Sequence, residues 1–413
     1  MTPSIDFQIE KISKFQTIDK EFTTNVIKNT LIDILSKIDY SNCEPDDENS
    51  FFICNLNQVI KSYNYWYQEL PYIKPHYAIK CNTDVRVIKL LSDLGCNFDC
   101  ASKSEIETIL QLGISPDRIV YANPCKTSSY IRFAKDENIN LTTVDNVDEL
   151  YKLSKFHPNC NILVRILTND ETSQCRLSTK FGASIEEVKD EILPIAKKLN
   201  LNIVGVAFHV GSGAKDFNSI YEAIRDSRII FDEAIDLGFN MSILDIGGGF
   251  EVETFKESSS MVNFAISKYF PQKFIRQHDI EFIAEPGRFM VSNAFLLCCN
   301  VIAKRKSMLY LNDGLYGNLN CILFDHQIPE IKLLKHKNKV YYDRNDLPND
   351  DFNYSIWGPT CDGLDCISKN TILNYDVDIG DWLYFPNLGA YSSCAKTQFN
   401  GFKQDSKIIY VFE

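Results

Sequence analysis

Between residues 76 and 287 the chain repeats one unit, a short apolar run followed by a segment with helical spacing. The runs cover 76–81, 98–102, 119–123, 141–145, 162–166, 204–210, 243–247 and 282–287. Several are apolar at consecutive positions, as in Val204-Gly-Val-Ala-Phe-His-Val210. Both faces of such a strand avoid water, which suits a parallel sheet better than an exposed antiparallel one. Parallel neighbours need a long crossover, and the intervening segments supply it. Ser184-Ile-Glu-Glu187 is a capping-box pattern opening a helix whose apolar positions are Ile185, Val188, Ile192, Ala196 and Leu199. Pro194 inside that pattern is expected to kink it. Residues 218–238 have the same helical character.

Eight strands alternating with helices predict an α/β fold, a (β/α)8 TIM barrel, because each right-handed parallel crossover uses one helix. An open doubly wound sheet satisfies the same pattern. After residue 290 the rhythm changes, and runs at 294–303, 308–311, 321–324, 340–342, 381–385 and 407–412 follow without long helices. This predicts a C-terminal all-β domain, sandwich- or barrel-like. The expected division is a barrel over 47–282 and a β domain over 283–413, with 1–46 contributing to it. Segment 332–353 is largely polar and reads as a solvated excursion.

Composition narrows the function. Lys plus Arg number 43 against 55 Asp plus Glu, a formal charge of −12, which repels phosphate backbones and argues against nucleic-acid binding. A cationic small substrate is compatible with it. No apolar run approaches the roughly 18 residues of a membrane span. Residues 1–14 include Asp6 and Glu10 and lack the apolar core of a signal peptide, so secretion is not expected. The 14 cysteines are scattered without C-x-x-C spacing, which favours reduced thiols over zinc or disulfides and a cytoplasmic location.

The candidate chemistry gathers at strand ends. Lys80 closes the first run, where a barrel places its mouth. Burial there would disfavour the ammonium, as an imine-forming lysine requires, although a strand-end lysine that snorkels to water explains it as well when taken alone. Gly247, Gly248 and Gly249 follow the strand at 243–247 and let backbone N–H groups approach a phosphate, or simply make a tight turn. Glu285, Gly287 and Arg288 end the last run, and Arg288 offers a planar fork for phosphate; a surface Glu–Arg pair is the plainer reading. His209 precedes Gly211-Ser-Gly213, a second small-residue loop at a strand end, or is a hydrogen-bonded core histidine.

These pieces, in this order, resemble the fold-type III pyridoxal-phosphate enzymes, and within them the eukaryotic-type ornithine decarboxylases. The resemblance runs from about Phe51 to the C-terminus. It rests on Tyr77-Ala-Ile-Lys-Cys-Asn82, Phe98-Asp-Cys-Ala-Ser-Lys103, Tyr121-Ala-Asn-Pro-Cys-Lys126, Phe208-His-Val-Gly-Ser-Gly213, Asp245-Ile-Gly-Gly-Gly-Phe250, Glu285-Pro-Gly-Arg288, Trp357-Gly-Pro-Thr-Cys-Asp-Gly-Leu-Asp365 and Gly389-Ala-Tyr391. It implies pyridoxal 5'-phosphate bound as a Schiff base to Lys80, with Glu285 at the pyridine nitrogen and His209 stacked on the ring. Ser212, Gly247, Gly248, Gly249, Gly287, Arg288 and Tyr391 would hold the phosphate, and Asp99 and Arg165 would support the lysine. Glu105 would join that network or act as the capping-box acid of Ser102-Lys-Ser-Glu105.

The resemblance further implies a homodimer with shared active sites, in which Cys361 and Asp362 enter the partner's barrel mouth. Tyr316 and Phe399 would line the substrate pocket with Phe324, while Lys180 and Asp365 would pair between subunits. Asp325 and Asp362 would place two carboxylates at the far end of the pocket. Two buried like charges are unfavourable unless a cation lies between them, and the distal ammonium of L-ornithine supplies it. A lysine substrate differs by one methylene, worth only about 1–3 kcal/mol. The implied reaction is decarboxylation to putrescine and CO2, the first step of polyamine biosynthesis, with Cys361 directing the final proton. The alternatives are a catalytically inactive antizyme-inhibitor-like homologue, a lysine or arginine decarboxylase, or a racemase on the same plan. An antizyme-like regulator is a further possible partner. The chain closes on Ile408-Ile-Tyr-Val-Phe412 without an acidic or Ser/Pro-rich tail, so turnover through such a tail is not expected.

Overall fold

The computed structural model describes residues 20–213, 216–344, 348, 350–402 and 406–412, with side chains from residue 23 onward. The expectation for 1–14 lies outside them. Two compact units divide the chain, one formed by 62–290 and the other by 1–61 together with 291–413.

Strand β1 (Phe51–Asn55) belongs to the second unit, where it pairs with a strand starting at Phe295 and with one at the C-terminal end. The eight strands that follow are β2 (Ile73–Ala78), β3 (Asn97–Cys100), β4 (Ile119–Tyr121), β5 (Leu141–Val144), β6 (Asn161–Arg165), β7 (Asn202–Ala207), β8 (Ile243–Asp245) and β9 (Glu281–Ala284). All their pairings are parallel, and β2 pairs with β9, so the barrel closes. The open-sheet alternative is thereby excluded. Because the strands are parallel, their carboxyl ends lie at one end of the barrel. Val120, Leu163, Val204, Ala207 and Ile283 pack together as part of its core.

Local signals set the crossovers. Asp84 caps Val85–Leu94 by accepting from the N–H groups of Arg86 and Val87, and Asn146 caps Val147–Phe156 through Glu149 N–H. The capping box at Ser184 and Glu187 is formed on both sides. Pro194 brings a wider turn before it: Leu193 N–H bonds to Val188 O, five residues back, across Val188–Ile192. One extra residue in the turn makes room for a proline ring that cannot continue the i→i−4 ladder.

The second unit holds β10 (Phe295–Arg305), β11 (Met308–Leu311), β12 (Lys332–His336), β13 (Lys339–Val340), β14 (Phe352–Trp357), β15 (Cys366–Leu373), β16 (Trp382–Phe385) and β17 (Lys407–Val411). With β1 they make a nine-stranded sheet. Helix Lys20–Ser36 lays Ile27, Leu31 and Leu35 onto Phe51, Ile53, Leu296, Cys298, Leu334, Trp382, Tyr384 and Val411.

Three expectations change here. The unit boundaries fall at 61/62 and 290/291 instead of 46/47 and 282/283, because Phe51–Asn55 finds its hydrogen-bond partners in the β unit while Glu281–Ala284 closes the barrel. Residues 321–324 form a helical turn, Cys321–Phe324, not a strand. Within the supposed solvated excursion, β12 buries Leu333 and Leu334 and pairs with β16. Its charged Lys335 is buried too, but donates to Leu35 O at the end of the N-terminal helix, 3.1 Å away, so its charge is placed at the negative end of the helix dipole.

Candidate active site

Six side chains arrive at the carboxyl end of the barrel from six strands. Lys80 stands in a single helical turn, Ile79–Cys81, just past β2. Asp99 lies in β3, Arg165 ends β6, His209 follows β7, Asp245 ends β8 and Glu285 follows β9. Strand register therefore converges residues that are up to about two hundred positions apart in sequence.

Lys80 Nζ forms an ion pair with Asp99 Oδ2. The Asp99 side chain is fully buried while that of Lys80 is 41 % exposed. The lysine thus sits against a buried carboxylate at the carboxyl end of the barrel. Asp99 Oδ1 is buried and meets no donor among the described residues. Glu105 accepts from Ala101 N–H at 2.6 Å, and its own N–H donates to Ser102 Oγ. Ser102 is thus the cap of the helix Lys103–Gln111, while the Glu105 carboxyl bonds the residue before the cap, so the expected capping box is only half formed, and burial raises the Glu105 carboxyl above the ordinary value.

His209 has a defined protonation state. Gly211 N–H donates to its Nδ1 at 3.0 Å. A backbone N–H only donates, so Nδ1 is bare and the proton of the neutral ring sits on Nε2. Burial first, then the charges of Arg165 and Lys80, hold the imidazolium well below its ordinary range. Thr168 Oγ1 donates to His209 O at 2.8 Å and ties this strand end to the loop after β6. Arg165 lies over the Phe181 ring at 5.2 Å, and Lys180 lies over the same ring at 4.9 Å.

The glycine run is required by close approach. At Gly247, φ is +64°, and a Cβ would fall 2.0 Å from Phe208 O. At Gly249, φ is +94°, and a Cβ would meet Gly211 O at 2.2 Å. A Cβ on Gly248 would lie 2.9 Å from His209 Nε2, so the ring nitrogen looks onto a floor of bare backbone. The loops after β7 and β8 thus press together, and Glu285 N–H donates to Gly247 O at 2.6 Å, adding the end of β9. Ser212 exchanges backbone hydrogen bonds with Cys175, which fixes the rim of this floor. Arg288 Nε lies 3.5 Å from Glu251 Oε1. Gly287 packs where a Cβ would reach 2.9 Å from Cys81 Cβ, in the turn carrying Lys80.

These features fit a phosphorylated pyridine aldehyde. An amine stands beside an acid, an imidazole face is held neutral, a carboxyl waits at a strand end, and a side-chain-free amide floor lies next to an arginine.

Tyr391, predicted for the phosphate, and the predicted substrate residues lie in the second unit. Tyr391 takes φ +54° after Gly389. Cys361 is exposed, and its N–H donates to Asn400 Oδ1 at 2.9 Å. Asp362 is held by the Tyr316 hydroxyl and by Leu364 N–H, which keep its carboxyl below the ordinary value. The Tyr316 and Phe399 rings stack at 4.5 Å. Phe324 is 64 % exposed, whereas Asp325 is buried and accepts from the side-chain amide of Gln327. Asp365 is also buried: Leu315 N–H, Thr360 N–H and the Thr360 hydroxyl all donate to it. Its place is inside its own unit, bracing the turn that presents Cys361.

Two residues of the mouth were passed over in the sequence. Asp245 stood within the glycine motif, where an acid at a strand end was the available signal. Glu251, the partner of Arg288, gave none, being one more acid after a loop.

Residues 56–292 match the family described as Pyridoxal-dependent decarboxylase, pyridoxal binding domain, and the chain belongs to that family. It is 54 % identical over 418 residues to the ornithine decarboxylase of Candida albicans, covering 94 % of this chain and 88 % of that protein. It is 41 % identical to antizyme inhibitor 2 of Xenopus laevis, covering 95 % and 86 % respectively. Among solved structures it is similar to the arginine decarboxylase of Paramecium bursaria Chlorella virus bound to agmatine. That match has a TM-score of 0.81 and 36 % identity, and covers 88 % of this chain and 97 % of that one. All 14 cysteines are free thiols. Among the described residues no helix is long and apolar enough to cross a membrane.

Proposed function

We propose that this chain is a pyridoxal-phosphate-dependent decarboxylase that converts L-ornithine to putrescine and CO2. The observation that carries the reading is the buried Asp99 paired with Lys80 in the same mouth as the glycine floor and Glu285. Lys80 would hold the cofactor aldehyde; Ser212, Gly247, Gly248, Gly249, Gly287, Arg288 and Tyr391 its phosphate; and Glu285 its ring nitrogen. When bound, the cofactor draws electrons from the substrate α-carbon as CO2 departs. His209, bare at Nδ1 and protonated at Nε2, presents a neutral ring face. Arg165 adds positive charge nearby without an ion-pair partner of its own among the described residues.

Cys361 returns the proton to the α-carbon, and Asp362 and Asp325 hold the distal ammonium, with Tyr316, Phe324 and Phe399 as pocket walls. In this reading the protein is a homodimer in which Cys361 and Asp362 of one protomer complete the mouth of its partner. Support comes from the exposure, in the single chain, of Cys361 and of apolar Phe324, Leu364 and Phe399, since large exposed apolar groups near a polar site mark a surface that associates. A cytoplasmic place at the start of polyamine synthesis follows from that product.

The similarity to antizyme inhibitor 2 of Xenopus laevis favours a second reading, a non-catalytic binding protein, and also a relation to an antizyme-like regulator. Retention of Lys80, Asp99, Arg165, Arg288, Cys361 and Tyr391 speaks for the enzyme. Assays of CO2 release with ornithine, lysine and arginine side by side, with the absorption spectrum of the purified protein, test the proposal. Turnover fastest with ornithine and a cofactor band are expected; a colourless, inactive protein that fails to take up added cofactor would establish the second reading.

A further inference from the structure

Asp245 is an acid of the mouth to which the proposed reaction gives no task. Its side chain is buried. Oδ1 accepts from Gly247 N–H at 2.8 Å and so sets the turn that opens the glycine floor. Oδ2 is buried and meets no N–H or hydroxyl donor among the described residues. Beside this carboxyl stands a second acid, with the Asp245 and Glu285 side chains within hydrogen-bonding reach of one another. The backbones hold them there, because Asp245 ends β8 opposite Ile283 of β9, and Glu285 follows two residues later with its N–H on Gly247 O. Two carboxylates held this close, one of them fully buried, do not both ionise readily.

We propose that Asp245 is a positioning residue for Glu285: the two side chains share one proton across the ends of β8 and β9, and that proton decides the charge Glu285 presents to the cofactor ring. The inference rests on the placement of Glu285 at the ring nitrogen.

The surroundings act in both directions. Asp99 from β3 adds negative charge to the pair, Lys80 after β2 favours ionised Glu285, and Arg165 from β6 favours ionised Asp245. Loss of hydration is the largest influence, lifting Asp245 to about 7 and Glu285 well above the ordinary carboxyl value. The pair therefore retains a proton at neutral pH. Asparagine at 245 keeps an oxygen for Gly247 N–H and offers an N–H to Glu285, preserving the turn while removing the shared charge.

The test is an infrared titration of the protonated-carboxyl band in cofactor-free protein, between about pH 5 and pH 9, for wild type, Asp245→Asn and Glu285→Gln, followed by absorption spectra after addition of pyridoxal phosphate. Wild type is expected to keep a protonated carboxyl at neutral pH. Asp245→Asn should lose that band at a pH at least one unit lower, and its cofactor spectrum should change its pH dependence in the same direction. No protonated carboxyl in wild type at neutral pH, or an unmoved titration in Asp245→Asn, overturns the proposal. Should Asp245→Asn fail to fold, Glu285→Gln decides, since a neutral-pH band unaltered by that change overturns it too. An altered cofactor spectrum in Glu285→Gln with an unmoved titration in Asp245→Asn leaves Glu285 at the ring and removes only the pair. A shifted titration with an unaltered Glu285→Gln spectrum supports the pair and removes Glu285 from the ring.

Discussion

The barrel mouth and the segment around Cys361 are built on opposite plans. In the mouth, polar groups are buried and several are answered within the barrel: Asp99 Oδ2 by Lys80, Asp245 Oδ1 by Gly247 N–H, His209 Nδ1 by Gly211 N–H. Around Cys361 the scaffold is buried, with Asp365 bracing the turn, while the thiol and the neighbouring Leu364 face outward. Desolvated charges need fixed partners, because an unanswered one costs several kcal/mol, roughly. A thiol outside costs nothing until something covers it. The contrast teaches that one region carries its electrostatics in the monomer, whereas the other presents groups whose environment an added surface would set.

Lys80→Ala is the sharpest way to break the comparison. Loss of nearly all turnover is expected, on the order of 10⁶-fold given what enzymes contribute overall, with loss of the cofactor absorption band. A retained band in the variant would rule the assignment out. Cys361→Ala should act later and less, lowering putrescine formation by about 10²–10⁴-fold, the usual share of a general acid. CO2 release should persist, with an aldehyde and the amine form of the cofactor as by-products. Clean putrescine at an unchanged rate would remove Cys361 from the chemistry.

Gly249→Ala tests the floor. With φ at +94° and a Cβ due 2.2 Å from Gly211 O, strain of about 1–3 kcal/mol is expected, read as lower thermal stability and weaker uptake of pyridoxal phosphate by fluorescence titration. Wild-type affinity would show that the loops after β7 and β8 are not a binding surface.

The smallest effect belongs to His76, in the barrel wall. Its ring lies between Lys74 O and Asn97 Nδ2, so Nε2 accepts and the neutral form fits. Burial is the main reason that its pKa falls to about 3. A depressed folded-state value means the unfolded chain binds the extra proton. Stability from this group is therefore present above about pH 6.5 and is lost as the pH falls toward 3, by about 1.4 kcal/mol per unit. In urea unfolding at about pH 7.5 and 5.5, His76→Gln should lose less stability on acidification than wild type, by roughly that amount. Equal losses would show that His76 does not titrate on unfolding.

The eight barrel strands were legible because burial on both faces leaves continuous apolar runs, and the capping box at Ser184 because it is a local exchange of hydrogen bonds. The β unit was harder for the same reason in reverse. Strand β15 buries only Ile367 and Leu373 of Cys-Ile-Ser-Lys-Asn-Thr-Ile-Leu and so carries no continuous apolar run. The run 321–324 is apolar but only four residues long, too short for period to tell helix from strand. Residues 51–55 fell within the range expected for the barrel because adjacency in sequence does not reveal that the partners of β1 begin at Phe295 and Lys407.

Periodicity and motif order alone thus pointed to eight parallel strands with helical crossovers and to candidate chemistry at their carboxyl ends, since those depend on patterns a few positions long. Tertiary structure alone decided that the eight strands close into a barrel, that Asp365 turns inward, and that Asp245 lies beside Glu285. Those outcomes depend on which strand ends neighbour one another, and closure of a barrel is a property of all eight strands together.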